Sequence, residues 1–434
     1  MGPHTRRTFL LTLGAGLLAA CAPAPTAPAP TAAPPTSPPA AKPAASPAAS
    51  PAASPAASPA ASPAASPAAS PAAAASPSPA PVTILKPTPE SAFIRFGSNA
   101  EMRFDALNRD QYLVPPANFF VRDHASTPTI DEKTWQLSIE GPGVLQPYRL
   151  SYDQLRGMPS KTVTRFVECA GNGRALYNEL LQRPAQGTQW HLGGYGVAEW
   201  TGVPVADLLD RAGVKSSAVD VVASGLDVAA VRRPMSLEKA MEDDTLVVYQ
   251  MNGQPLPPDH GFPARLLAPG WVGVANIKWL GSLEVTEETA YTDWNTQTYV
   301  LIGPDYAPRP PARGPIINEQ VLKSAVALPW PGSLRAGSQT VWGYAWSPVG
   351  RIARVDVSVD GAPFQPATLV EPNIERAGVR WQLTFNANPG RITITPRASD
   401  DHGNTQPTDP SGQLWNEQGY LFAAAAPHPV TVTA

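Results

Sequence analysis

Between residues 90 and 315, apolar and polar positions follow short runs of differing period. Trp135-Gln-Leu-Ser-Ile-Glu-Gly141 alternates like a strand with one covered face and stops at glycine. Tyr152 to Arg156 reads as a short helix. Thr162 to Val167 alternates again, and this strand ends at Cys169, ahead of Gly171-Asn172-Gly173. Thr201 to Gly213 predicts a helix with Val205, Leu208 and Leu209 on one face and Gly213 as its stop. Val219 to Ala223 is a β-branched strand. Ser236 to Met241 is a short helix with Ser236 as N-cap. Leu246 to Gln250 is a strand turning at Asn252-Gly253, and Ile277 to Val285 is another. Strands and short helices mix without a regular β-α-β period, which defines an α+β domain. No G-x-G-x-x-G follows a strand, so nothing supports a dinucleotide-binding fold.

From about residue 316 the period is two throughout. Val341 to Trp346, Ile352 to Val359, Val379 to Phe385, Arg391 to Thr395, Leu421 and Pro429 to Thr433 supply strand segments between Ser-Pro, Asp360-Gly361 and Asn-Pro-Gly turns. Short strands at this spacing predict an all-β antiparallel sandwich.

The front of the chain has neither period. Residues 1–21 read as an export signal: Thr5-Arg-Arg-Thr-Phe-Leu10 is a twin-arginine pattern, and the apolar run Phe9 to Ala20 is 12 residues. A bilayer span needs roughly 20. The run ends in Leu18-Ala-Ala-Cys21, which resembles a bacterial lipobox with Cys21 as the lipidated residue; the plainer alternative is an ordinary signal peptide with a chance cysteine. Residues 22–88 read as a linker built on Ser-Pro-Ala-Ala repeats; up to residue 81 it has almost no charge and no large apolar side chain, and so cannot bury a core. Such a segment favours extended geometry and, at ~3.1 Å per residue, reaches on the order of 200 Å. These features predict an exported body tethered to the outer face of the membrane by a lipid alone.

Composition narrows the chemistry. Formal net charge is −3, and no basic run interleaves with aromatics, so no electrostatic footprint for nucleic acid exists. The chain has two cysteines, Cys21 and Cys169. With Cys21 acylated, the body carries one thiol, no disulfide, and no Cys-x-x-Cys-His for haem attachment. An isolated cysteine is usually a buried core residue. At Cys169, however, a thiol at a strand end meets a turn of backbone N–H groups and a fixed cation, Arg174.

Cys169-Ala-Gly-Asn172 followed by Arg174 resembles the metal-ligand loop of the sulfite oxidase family of molybdopterin oxidoreductases. Three further stretches resemble the family in the same order. They are Asn118-Phe-Phe-Val-Arg122-Asp-His124, then Asp259-His-Gly-Phe-Pro-Ala-Arg265 with Asn276-Ile-Lys278, and a C-terminal third similar to the immunoglobulin-like dimerisation domain. The resemblance implies a molybdopterin-binding catalytic domain over 89–315 and a dimerisation domain over 316–434. It implies one molybdenum per subunit held by Cys169, a soft ligand for a soft-ligated metal. It assigns the cofactor to Phe120, Val121, Arg122, Asp123, His124, Asp227, His260, Arg265, Asn276, Ile277 and Lys278. It assigns substrate chemistry to Arg122, Arg174 and Tyr299, with Trp190 as a further candidate for the pocket wall.

The expected reaction is oxidation of sulfite to sulfate. With no haem of its own in this reading, the chain would pass electrons to an external acceptor such as a cytochrome c, as a homodimer. One departure bears on the substrate. The family usually has an arginine three residues after Trp415, and here that residue is Gln418. Two alternatives therefore stand beside the first reading: the same cofactor acting on a sulfoxide or other oxo-donor, and a non-catalytic surface lipoprotein that keeps the fold.

Overall fold

A computed structural model describes residues 83–434. The signal, Cys21 and the repeats up to residue 82 lie outside the described residues.

The first part is α+β, as expected. One sheet orders the strands Gln254–Pro255, Leu246–Met251, Tyr195–Pro204 and Lys161–Glu168, with Arg265–Leu267 also paired to Leu246–Met251. A second orders Tyr148–Ser151, Gln136–Glu140, Leu280–Thr286, Asp220–Gly225 and Arg232–Ser236. A small third sheet joins Phe93–Phe96, Asn99–Met102 and Val121–Arg122. The helix Val205–Ala212 turns Val205, Leu208, Leu209 and Ala212 into the core of the second sheet and ends at Gly213, whose φ is +67°. Only glycine takes that conformation cheaply. Helices Tyr152–Arg156 and Leu237–Ala240 begin at Ser151 and Ser236, each accepting a backbone N–H as N-cap.

The second part is a sandwich. One sheet orders Lys323–Val326, Gly337–Trp346, Gly378–Ala387 and Thr368–Ile374. The other orders Gly332–Arg335, His428–Thr433, Gly390–Asp400, Ile352–Val359 and Gln365–Pro366. Val355, Val357, Trp381, Ile394 and Val430 fill the space between them. A separate apolar cluster joins the sandwich to the first part, where the rings of Tyr195 and Trp346 stack at 4.0 Å. Among the described residues, no helix is long and apolar enough to cross a membrane.

Five local expectations are corrected. The helix foreseen from Thr201 starts at Val205, because Thr201 to Pro204 finish a strand laddered to Leu246–Met251. The strand foreseen from Ile277 starts at Leu280, because Trp279 takes φ +50° and breaks the run. Leu421 is in no strand; its N–H donates to the Ala170 carbonyl at 3.0 Å, which lays the C-terminal tail on the cysteine loop. The sandwich is not wholly antiparallel, since Gly332–Arg335 runs parallel to His428–Thr433. Finally, composition extends the linker to residue 88, yet Leu85 and Lys86 donate their backbone N–H groups to the Asp259 carboxylate at 2.9 and 2.7 Å.

Candidate active site

The strand Lys161–Glu168 carries the chain to Cys169, whose N–H donates to Gly194 O at 2.9 Å. Asn172 closes the turn, donating its N–H to Cys169 O at 2.9 Å, and Gly173 at φ +96° starts the helix Arg174–Leu181. The thiol is therefore fixed by backbone on both sides. It is 5% exposed and opens onto a cavity.

Most of the residues singled out in the sequence line this cavity. Phe120, Arg122, Asp123, His124, Cys169, Asp227, His260, Arg265, Asn276, Ile277, Lys278 and Tyr299 all do so. Val121 does not; strand alternation turns it to the opposite face, into a small core with Phe93 and Ala100. Trp190 does not either: it is fully buried, edge-on to Phe120. Arg174 also stands behind the wall. Its guanidinium donates to the Gln418 carbonyl at 2.6 Å and the Thr188 carbonyl at 2.7 Å, and lies 5.5 Å over the Tyr420 ring. Gly171 and Gly419 leave it room, since a Cβ would fall 2.2 Å from Nη2 at the first and 2.7 Å from Cγ at the second.

Two basic side chains, Lys278 and Arg265, also line the cavity. Lys278 Nζ donates to the Asp123 carboxylate and, at 2.9 Å, to Asp259 O. Arg265 donates from Nη1 to His260 O at 3.2 Å and from Nη2 to Asn276 O at 3.0 Å, both neutral acceptors. Its Nε–H is buried with no partner. Burial alone pulls the guanidinium down to about 9. A buried cation with a free donor and no carboxylate fits an anionic group in the cavity. Asn276 has a scaffold role as well, accepting the Ala268 N–H at 2.8 Å through Oδ1.

Histidines here are neutral. Burial first and Arg122 second hold His124 down at about 3, so the unprotonated ring meets the Tyr299 hydroxyl at 3.0 Å from Nε2. Burial, reinforced by Lys86 and Arg265, likewise holds His260 well below its usual range. Burial raises the Tyr299 phenol; Cys169 adds to this, while Arg122, Arg174 and Arg233 oppose it. Tyr299 and Trp279 both line the cavity at φ +53° and +50°, a strained backbone typical of functional walls. The Tyr299 ring stacks on Tyr420 at 5.2 Å, and Tyr420 donates its hydroxyl to Gln418 Oε1.

Sequence reasoning passed over several groups. Asp259 sits inside a quoted motif yet had no assigned role; fully buried, it binds the incoming chain at Leu85 and Lys86 and the Thr127 hydroxyl at 2.6 Å. Lys86 was hidden in the proline-rich stretch. Its amine donates to Pro116 O at 2.9 Å and to Phe119 O, and lies 3.2 Å from His260 Nε2. Nothing in the local pattern distinguished either.

Burial holds the Lys86 amine down at about 7 against the pull of Asp259. The unfolded amine titrates near 10.4, so between these values the unfolded chain binds more protons and stability rises with pH. We expect the native chain to gain in melting temperature on Lys86→Met as pH rises from 7 to 10. A difference that stays flat across that range contradicts the buried amine.

The family described as "Oxidoreductase molybdopterin binding domain" matches residues 124–294, and "Mo-co oxidoreductase dimerisation domain" matches 315–426. Mitochondrial sulfite oxidase of Mus musculus is 35% identical over 350 residues, covering 75% of this chain and 64% of the relative. Sulfite oxidase of Gallus gallus is 34% identical over 348 residues, covering 75% and 74%. The crystal structure of the sulfane dehydrogenase SoxCD from Paracoccus pantotrophus is similar at TM-score 0.67 and 29% identity, covering 79% of this chain and 84% of that one. The chain belongs to the sulfite oxidase family of molybdopterin-dependent oxidoreductases. Its cofactor is molybdenum-molybdopterin, and it spans 64% of the length of the mouse relative. Among the described residues, no group of three or more His, Cys, Asp or Glu is placed to hold a metal ion.

Proposed function

We propose that the protein is an exported, surface-tethered enzyme that oxidises sulfite to sulfate and passes the electrons to an external cytochrome. The observation that carries the reading is Cys169, the one free thiol among the described residues, opening onto a cavity whose other walls hold Arg122, Lys278 and Arg265. Bound molybdopterin supplies oxygen-atom transfer and takes up two electrons. In balance, sulfite and water give sulfate, two protons and two electrons.

The chain's own residues supply the rest. Cys169 is the thiolate ligand. Arg265 and Lys278 hold the anionic end of the cofactor. Arg122 faces the incoming oxyanion, with a planar fork suited to it. Arg174 acts from behind Tyr420, lending charge without contact. Tyr299 and neutral His124 form a hydrogen-bonded pair that holds a proton at the cavity wall. Replacing Tyr299 by phenylalanine should lower kcat about 10²-fold, with little change in cofactor content. An unchanged kcat removes the phenol from proton handling.

Export rests on Thr5 to Leu10 and anchorage on Cys21 after Leu18-Ala-Ala. A homodimer is the partner reading that the dimerisation-family match supports.

A second reading keeps the cofactor and changes the sulfur substrate to a sulfoxide or other oxo-donor. It is favoured by Gln418, whose side chain is neutral and engaged by Tyr420. Steady-state assays separate the two. Sulfite with cytochrome c as acceptor should turn over. Turnover only of oxo-donors with a reduced viologen favours the second reading.

A further inference from the structure

Glu168, directly before the metal-ligand cysteine, is fully buried, and every bond to its carboxylate that crosses domains comes from the sandwich. Oε1 accepts from Lys323 Nζ at 2.6 Å and from Asn172 Nδ2 at 2.9 Å. Oε2 accepts from the Trp346 indole at 2.9 Å. Lys323 also donates to Asn172 O at 2.9 Å, and Gln320 Nε2 donates to Glu168 O at 2.9 Å. Lys323 and Trp346 lie on adjacent strands of one sandwich sheet, paired with each other in register. The two ends of the Cys169 turn, Glu168 and Asn172, are thus tied to one another and to the second domain. The ion pair is closed to water, with side-chain exposures of 2% and 0%. A buried pair of this kind adds little net stability, and its value lies in fixing one geometry.

We infer that the sandwich, besides any part in association, is a positioning element for the active-site thiolate, acting through the Lys323–Glu168–Trp346 clamp. The inference rests on Cys169 being the metal ligand. Neither Lys323 nor Trp346 lines the cavity; they fix the span over which Cys169 is presented. Removing Lys323 leaves a buried carboxylate unpaired and frees Asn172 O, so the turn opens while the sheets on either side stay packed.

The test uses the full chain, native and Lys323→Met. In protein made without cofactor, the rate of Cys169 alkylation by iodoacetamide should rise at least tenfold in the variant. In protein made with cofactor, the thiolate-to-molybdenum absorption band should shift or weaken. A purely structural role lowers the melting temperature and leaves both readouts at native values; that result overturns the inference. Should Lys323→Met fail to fold, Glu168→Gln with Lys323→Met removes the charge imbalance and is read the same way. Absence of molybdenum from the native protein sinks the functional reading, whereas the alkylation arm still decides whether the clamp holds the turn.

Discussion

Cys169→Ser is expected to lose turnover by more than about a thousandfold while staying folded. At 1.36 kcal/mol per tenfold, this corresponds to at least about 4 kcal/mol of transition-state stabilisation. A serine hydroxyl is a hard, weakly acidic donor and a poor substitute for a thiolate toward a soft-ligated metal. The substitution changes one atom at a site that is 5% exposed, within a turn held by backbone bonds to Gly194 and Asn172. The melting temperature should therefore move by no more than about a few degrees. Turnover kinetics, metal analysis and a thermal melt on the same preparation check all three statements. Retained activity would remove Cys169 from the chemistry and with it the mechanism.

Arg265→Met is expected to strip the protein of cofactor. The lost interaction is charge-assisted, worth about 1.5–3 kcal/mol, or roughly 10- to 150-fold in affinity. The opposing term sharpens the test. In the cofactor-free chain, Arg265 is a fully buried cation that donates to two neutral carbonyls, lies 5.2 Å over the Trp200 ring, and has no hydrogen-bond partner for its Nε–H. Deleting it loses two hydrogen bonds and also removes an uncompensated charge, so the cofactor-free melting temperature should stay within about a few degrees. Arg265→Lys, which keeps charge and loses the planar fork, should fall between. Pterin and molybdenum per subunit are the readout. Full cofactor content in Arg265→Met would mean that the guanidinium faces something other than the anionic end of the cofactor.

What was legible in the sequence follows from where information is local. The α+β part and the sandwich were readable because period-two runs and the Gly213 stop are properties of contiguous residues. Tyr152–Arg156 was found with its bounds intact for the same reason. Three misplacements came from long-range pairing. Thr201 to Pro204 are drawn into a ladder with Leu246–Met251, Trp279 donates its indole N–H to Pro258 O and accepts the Leu226 N–H, and Leu421 binds the Ala170 carbonyl. The cavity wall was readable where motif residues face one way, from Arg122 to His124 and from Asn276 to Lys278. It was not readable for Val121, turned away from the cavity by alternation, nor for Arg174 and Gln418, a helix start and a C-terminal turn 244 residues apart. The clamp was invisible for the same reason: Lys323 lies 155 residues from Glu168. Lys86 was masked by its surroundings, since a low-complexity composition describes a segment on average and says nothing of one lysine at its end.

Gln418 changes what Arg174 can do. The residue offers its backbone carbonyl to that guanidinium and its side-chain oxygen to Tyr420. A neutral amide therefore stands where the family usually supplies a second cation, and under the proposed function Arg122 is left as the cation at the cavity wall to meet an oxyanion. This concentrates the substrate question on one experiment.

That experiment is the visible absorption spectrum of the full-length protein, from a host that makes molybdopterin, recorded before and after anaerobic addition of sulfite. A thiolate-to-molybdenum band that bleaches on addition is expected, with one molybdenum per subunit. A band that persists through excess sulfite would contradict the substrate, and a protein without molybdenum would contradict the account at its centre.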